Sequence, residues 1–240
     1  MSGHSKWSQI KRGKGLLDAK RGALFSKLAK KISIAVKEGG SADPAFNFKL
    51  KSTIDIARAA GMPNDNVDRA IKKGSGADGG MAISEAIYEG YGPFGTAFLI
   101  EAATDNTNRT VGNIKTIFSK HGGSLGAQGS VAWQFTTKGQ ILIERSNDDM
   151  AALELAAIDA GAEDVRESSE GLEVYTKPED LSRIKEALMN AGAKIAQAEI
   201  IKESSQGVDL MEEQKAKVDL LFAELDNDDD VIAVHTSANL

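Results

Sequence analysis

The amino-acid sequence predicts a multi-domain α+β protein: an N-terminal three-helix bundle, then two α/β sandwich domains, the last with the order β-α-β-β-α-β. Three features support this prediction. Helical periodicity extends over residues 18–74, a glycine-rich stretch follows it, and strand-like and helical segments then alternate to residue 240. The 240 residues, 41% of them hydrophobic, suffice for more than one hydrophobic core.

Three helices are predicted at the N-terminal end, over residues 18–36, 43–61 and 63–74. Asp43 is expected to cap the second helix, and Pro63 to open the third. Apolar side chains recur at helical spacing in each segment and are expected to face one shared core. They are Leu24, Phe25, Leu28, Ile32, Val36, Phe46, Leu50, Ile54, Ala57, Val67, Ala70 and Ile71.

The stretch after Gly74 is typical of a linker and leads into a second domain. Two strands, Ser84 to Tyr91 and Thr96 to Thr104, are joined by the letters GPFG, which are typical of a hairpin. An amphipathic helix is expected to begin at the TDNTNRT segment, and Val131 to Phe135 is predicted as a further strand.

Residues 139–203 have the β-α-β-β-α-β order of a ferredoxin-like domain. The segment 208–240 adds one helix and one strand, which cannot form a core alone, so they are expected to return to the preceding sheet. The predicted domains are a basic arm and helical bundle at 1–75, a discontinuous α+β domain at 80–135 plus 208–240, and an inserted ferredoxin-like domain at 136–207. The ferredoxin-like elements are Gln140–Glu144, Asp148–Ala160, Asp164–Ser168, Leu172–Thr176, Pro178–Asn190 and Lys194–Lys202.

Charge is divided unevenly along the chain, although the formal net charge is only −6. Residues 1–75 carry 16 Lys and Arg against 6 Asp and Glu, a balance of +10, so residues 76–240 carry 13 against 29, a balance of −16. A solvated, lysine-rich surface is one interpretation of the basic part. The other is a surface for nucleic acid, because phosphates neutralised by Lys and Arg release condensed counterions. The acidic remainder is expected to contact protein instead.

The candidate nucleic-acid-binding residues lie in the arm, on the first helix and near the end of the third. On a helical wheel, the lysines of the first helix fall opposite its apolar stripe. Trp7 in the arm has two interpretations, stacking on an exposed base or packing the arm onto the bundle. The candidates are Lys6, Trp7, Lys11, Arg12, Lys14, Lys20, Arg21, Lys27, Lys30, Lys31, Arg69, Lys72 and Lys73.

Three motifs match functional signatures in letters but not in context. Gly74–Gly79 spells G-x-G-x-x-G, yet a helix and not a strand precedes it, which disfavours a dinucleotide site. Gly122–Gly126 spells G-x-S-x-G, yet Ser124 follows a helix, which disfavours the nucleophile elbow of hydrolases. The DNDDD segment at 226–230 lacks the glycine and glutamate of a calcium loop and is interpreted as a turn and capping cluster.

No catalytic residue, cofactor or metal ion is predicted. The chain has no cysteine, and its three histidines lack metal-ligand spacing. The many acids single out no catalytic pair, so a hydrolase using the acidic domains is a distant alternative. The basic start has no apolar stretch after it, and no run approaches the roughly 20 apolar residues of a membrane span. These features predict a cytoplasmic protein without a membrane partner.

Six segments together resemble the YebC/PmpR family of regulatory proteins, whose mitochondrial relatives act as translational activators of a cytochrome oxidase subunit. Their order is matched along nearly the whole chain. Lys49 and Lys51 stand where arginines are common in the family, and lysine lacks the bidentate fork of arginine. The segments are GHSKW at 3–7, DAKRG at 18–22, GMPNDNVDRAIKKG at 61–74, YEGYGP at 88–93, TDNTNRT at 104–110 and KHGGSLGAQGSVAWQF at 120–135.

This resemblance implies three domains, a cytoplasmic location and a non-enzymatic role. In some members that role is described as DNA-binding transcriptional regulation, and in others as relief of ribosomes stalled at proline-rich stretches. A DNA-binding transcriptional regulator is therefore the first hypothesis, and a ribosome-associated translation factor that binds ribosomal RNA is the alternative. A protein-interaction adaptor, which would not need the N-terminal cations, is a further alternative.

Overall fold

The computed structural model describes residues 19–76, 83–145 and 150–240, with side chains described from residue 22 onward. The fold class is multi-domain α+β, as the sequence predicts. None of the helices within these ranges is both long enough and apolar enough to cross a membrane.

The described residues form two compact units. The bundle unit contains the described residues up to Val131 together with Ala216–Val234. The ferredoxin-like unit contains the described residues of Ala132–Lys215 together with His235–Leu240. The bundle unit therefore combines the N-terminal helices with a β-sheet, and the second unit holds the β-α-β-β-α-β elements.

The N-terminal helices α1, α2 and α3 span Ala19–Gly39, Phe48–Ala59 and Asn64–Gly74. Their buried apolar side chains form a single core, which confirms the predicted three-helix bundle. Pro63 has extended backbone and directly precedes α3, as predicted. The buried core residues are Leu28, Ile32, Ala35, Val36, Leu50, Ile54, Ala57, Met62, Val67 and Ala70.

The predicted start of α2 at Asp43 is wrong. The Asp43 carboxylate accepts a hydrogen bond from the Ala45 N–H at 2.9 Å, and such a local turn competes with helix formation. The helix begins at Phe48 instead, capped by the Asn47 side chain, which accepts an N–H of the first turn at 3.0 Å. Phe46, predicted to face the core, therefore precedes the helix and is 82% exposed.

Helix α1 packs closely against α3. The buried side chains of α1 begin at Leu28, so Leu24, which was predicted to be in the core, is 44% exposed. The Ser33 hydroxyl donates a hydrogen bond to the Ala70 carbonyl at 2.8 Å. A Cβ at Gly74 would lie 2.5 Å from the Ser33 carbonyl oxygen, so this approach of the two helices requires glycine.

A four-stranded sheet completes the bundle unit. Strand β1 (Ser84–Tyr91) pairs antiparallel with β2 (Ala97–Thr104), and β3 (Ser124–Leu125) pairs with the other edge of β1. Strand β9 (Val231–Thr236) lies beside β2, which gives the order β3-β1-β2-β9. The C-terminal strand thus returns to this sheet, as the sequence analysis expects.

Two helices supply apolar side chains to the bundle unit. Helix α4 (Thr107–Lys120) is capped by the Asn106 side chain, and helix α7 (Glu212–Asp226) leads into β9. The Phe118 ring of α4 meets the Phe98 ring of β2 edge to face, with 5.8 Å between the centroids. The buried apolar residues of the two helices are Ile114, Ile117, Phe118, Val218, Leu221, Phe222 and Leu225.

The ferredoxin-like unit has the predicted β-α-β-β-α-β order, and its antiparallel sheet has the strand order β5-β6-β4-β7. The predicted strand at Val131–Phe135 is wrong, because Ala132–Gln134 form a 3₁₀ turn and β4 begins only at Phe135. The elements are β4 (Phe135–Glu144), α5 (Met150–Asp159), β5 (Asp164–Ser168), β6 (Gly171–Thr176), α6 (Leu181–Asn190) and β7 (Ile195–Ser204); the short strands β8 (Val208–Asp209) and β10 (Ala238–Asn239) pair in parallel.

Two carboxyl groups meet where the end of α1 approaches β1. Partial burial and a hydrogen bond shared with Glu38 raise the pKa of Glu85 to about 7. Glu38 also accepts a hydrogen bond from the Lys49 ammonium, and the Glu101 carboxylate adds repulsion. The folded state thus holds a proton at Glu85 more tightly than the unfolded chain does.

This carboxyl pair makes the stability of the bundle unit depend on pH. Because the pKa of Glu85 is higher in the folded state, its contribution is present below about pH 4.5 and is lost as the pH rises through about 7. We expect the free energy of unfolding to fall between pH 5 and pH 8, by less than about 1 kcal/mol, because solvent screens this exposed pair. Urea unfolding at several pH values measures the decline, and Glu85→Gln should remove it; an unchanged pH profile in that variant would contradict the assignment.

Candidate nucleic-acid interface

Several candidate residues fall outside the part of the chain that the structure describes. These are the arm residues Lys6, Trp7, Lys11, Arg12 and Lys14. The backbone of Lys20 and Arg21 belongs to the first turn of α1, but their side chains are not among those described. The roles of these seven residues, including the two interpretations of Trp7, stay predictions.

Two lysines of α1 bind the protein's own acids. The Lys27 ammonium lies 2.9 Å from an Asp226 carboxylate oxygen, and that of Lys30 lies 2.9 Å from an Asp230 oxygen. The two side chains are only 15% and 22% exposed. The helical wheel places them opposite the apolar stripe, but that side of α1 contacts the turn before β9 and is not a free cationic face. We therefore leave these two lysines out of the candidate surface.

Asp230 is the centre of a hydrogen-bonded cluster within the bundle unit. One carboxylate oxygen accepts hydrogen bonds from the Thr110 hydroxyl at 2.8 Å, the Arg109 guanidinium at 2.7 Å and the Thr104 hydroxyl at 3.2 Å. Burial acts to raise the pKa of Asp230, but the hydrogen bonds from Arg109, Lys30 and Thr110 outweigh it and lower the pKa to about 2. The TDNTNRT segment therefore supplies hydrogen-bond donors to the buried Asp230 carboxylate, which has a structural role.

The acidic segment at 226–230 is a turn and capping cluster, as the sequence analysis interprets it. The Asp228 carboxylate accepts the Asp230 N–H at 2.9 Å and the Asn113 side-chain amide at 3.1 Å. Asp226 binds Lys27, as described above. The carboxylates of these three alternating acids are thus occupied by groups of the protein itself.

The YEGYGP and GGSLGAQGSV segments build one ordered loop in the bundle unit. The buried Glu89 carboxylate accepts the N–H groups of Gly129 at 2.5 Å and of Val131 at 2.7 Å. These bonds hold the chain in a loop up to Val131, which explains why no strand forms there. Ser124 lies in β3, opposite Tyr91, and not in a strand-to-helix turn. The G-x-S-x-G letters therefore belong to a helix-to-strand turn, as expected.

Among the candidate cations whose side chains the structure describes, the exposed ones lie on α3. Arg69, Lys72 and Lys73 have the i, i+3, i+4 spacing of one helical face, and all three are exposed. The Arg69 guanidinium donates a hydrogen bond to the Asn66 side-chain oxygen at 2.5 Å, so it is held within its own helix, and no acidic side chain of the described residues pairs with it. We call these three residues the α3 cationic face. Lys31 of α1 is half-buried.

The sequence analysis missed two cations on α2. Lys51 and Arg58 are exposed, and no acid of the described residues forms an ion pair with either. Their i, i+7 spacing on one helix was the available signal, because residues seven apart face the same way. Neither residue is among the candidate nucleic-acid-binding residues of the sequence analysis.

The fold and these surfaces define a multi-domain α+β protein with a cationic helical bundle and an acidic remainder. Two family models match the chain: the TACO1/YebC protein N-terminal domain over residues 5–77, and the TACO1/YebC second and third domain over residues 83–238. The chain belongs to the TACO1/YebC family. This confirms the resemblance that the six sequence segments indicated.

Similar proteins cover nearly the full length of the chain. A probable transcriptional regulatory protein of Thermoanaerobacter pseudethanolicus is 47% identical over 241 residues, which is 100% of this chain and 98% of that protein. A probable transcriptional regulatory protein of Enterococcus faecalis is 47% identical and covers 99% of each chain. The crystal structure of a conserved hypothetical protein from Aquifex aeolicus is similar with a TM-score of 0.83 and 41% identity, covering 92% of this chain and 91% of that one.

Proposed function

We propose that this protein is a non-enzymatic, nucleic-acid-binding regulator of gene expression that acts on transcription by binding DNA. The observation that carries the proposal is the division of charge, +10 in residues 1–75 and −16 in the rest. Its relatives are named probable transcriptional regulatory proteins, which is consistent with this role. No cofactor is required for binding of this kind.

The binding mechanism follows from the accessible cations. The α3 cationic face and the basic arm neutralise phosphates, and each neutralised phosphate releases counterions, which gives affinity without sequence readout. Lys72 and Lys73 lie in the last turn of α3, where cations also complement the negative end of the helix dipole. The acidic remainder is repelled by phosphates, so the bundle faces the nucleic acid and the other domains stay available for protein contacts.

A ribosome-associated translation factor is the second candidate, and a specific observation favours it. Phe46, an exposed aromatic residue, precedes a helix that carries Lys51 and Arg58, two exposed cations without an ion pair among the described residues. Aromatic side chains beside cations suit unpaired bases, which folded RNA offers more often than duplex DNA does. In this case the same cations bind ribosomal RNA.

Crosslinking in cells tests the proposal. The full-length protein is crosslinked with formaldehyde, purified under denaturing conditions, and both attached DNA and attached RNA are sequenced. We expect discrete chromosomal sites to be enriched, and the enrichment to be reduced in a Lys72→Gln, Lys73→Gln variant. Enrichment of ribosomal RNA instead would replace the transcriptional role by the translational one. Recovery of neither nucleic acid above an uncrosslinked control would overturn the proposed function.

A further inference from the structure

A shallow pocket lies on the exposed side of α2 and on the turn that precedes this helix. Its volume is about 330 Å³, near the lower end of the roughly 300–1,000 Å³ typical of ligand sites. Three charged residues, Lys51, Asp55 and Arg58, have the i, i+4, i+7 spacing that places them on one face of the helix. The pocket is lined by Pro44, Ala45, Lys51, Ile54, Asp55 and Arg58.

The cations of this pocket are available to a ligand. Lys27, Lys30 and Lys49 each form an ion pair with an acid of the protein, but Lys51 and Arg58 form none with the described residues. Asp55 also lines the pocket, so the site has two positive charges and one negative charge. This arrangement fits a ligand that carries both an anionic group and hydrogen-bond donors.

An exposed aromatic residue, Phe46, is adjacent in sequence to the lining of this pocket. Phe46 directly follows the lining residue Ala45 and is 82% exposed, because α2 begins only at Phe48. The ring leaves most of its apolar surface in water, although the bundle core is close by in sequence. A planar, apolar ligand group would cover this surface.

We propose that this pocket binds an unpaired nucleotide. Its base stacks on the Phe46 ring, the flanking phosphates bind Lys51 and Arg58, and the Asp55 carboxylate accepts N–H groups from the edge of the base. Such stacking tolerates every base, since each has an aromatic face. The inference rests on the proposed function and goes further by naming the ligand as single-stranded or looped nucleic acid.

Fluorescence anisotropy with the full-length protein tests this site. The probes are a labelled 12-nucleotide single strand and the corresponding duplex, both as RNA and as DNA. Phe46→Ala is expected to weaken single-strand binding by roughly 5- to 150-fold, the range for loss of one base-stacking contact, and to change duplex binding less than twofold. Phe46→Trp, which keeps an aromatic face, should restore single-strand binding. A Lys51→Ala, Arg58→Ala variant should weaken it as well and reduce its salt dependence.

The outcomes separate this inference from the proposed function. If the wild-type protein binds none of the four probes at low salt, the proposed function fails. If it binds single strands but Phe46→Ala equals the wild type, only the inference is overturned. Displacement of the strand by an acidic peptide at equal concentration would also overturn it, in favour of a protein ligand. Leu155→Ala, which removes a 59% exposed apolar side chain of the ferredoxin-like unit, is the matched control and should leave binding unchanged.

Discussion

Raising the monovalent salt concentration from 50 to 200 mM is expected to weaken nucleic-acid binding at least ~10³-fold, if about six phosphates are neutralised. The reason is that binding releases counterions from the nucleic acid, and their release into a more concentrated salt solution gains less entropy. The accessible cations of the basic part, including the α3 cationic face, are numerous enough for six contacts. Anisotropy titrations across this salt range measure the effect. Affinity that does not change with salt would contradict an electrostatic interface.

Paired substitutions locate this effect on the bundle. In a Lys72→Gln, Lys73→Gln variant, the slope of log affinity against log salt should fall by about 1.8 on duplex DNA, since each lost phosphate contact contributes about 0.9. A Lys115→Gln, Lys177→Gln variant is the control, because it changes the net charge equally and its two lysines are also exposed. Equal reductions in the two variants would show a general charge effect and not a specific surface.

Most of the fold was predictable because hydrophobic periodicity and glycine positions dictate it locally. The boundaries of β1 and β5 agree with the predicted residues, since alternation and turn residues define short strands well. The errors arose where a side chain competes with the backbone. Asp43 forms its own turn and delays α2, and Glu89 binds two loop N–H groups and keeps Val131 out of a strand.

The candidate site was less predictable. A helical wheel shows on which side of a helix a side chain lies, but it does not show which residues of other elements contact that side. Lys27 and Lys30 point away from the bundle core as predicted, yet acids almost 200 residues later in the chain meet them. No local pattern reveals such a long-range pairing. The exposure of Phe46 depends in turn on a helix start that the sequence misplaced. The division of charge along the chain could be predicted from composition alone. The cations of α3 could be predicted from their positions near the end of that helix.

Replacing Asp230 by alanine is expected to lower the free energy of unfolding of the bundle unit by about 3 kcal/mol. Removing one partner of a buried ion pair typically costs 3–5 kcal/mol, and the lower end applies here because Arg109 and Lys30 can regain some hydration. The low pKa of Asp230, about 2, means that its contribution is complete at neutral pH and is lost only as the pH falls through that value. Urea unfolding followed by circular dichroism at pH 7 measures the loss.

Asp226→Ala is the matched control, since it removes a carboxylate from the same turn. The Asp226 side chain is 52% exposed, so this variant should lose less than about 1 kcal/mol. Equal losses in the two variants would contradict a central role for Asp230. Amide hydrogen exchange shows which helices lose stability in the Asp230→Ala variant. Lys30 belongs to α1, whereas Arg109 and Thr110 belong to α4. If one carboxylate joins both helices, Asp230→Ala must speed amide exchange in both, whereas a contact confined to one helix would affect that helix alone.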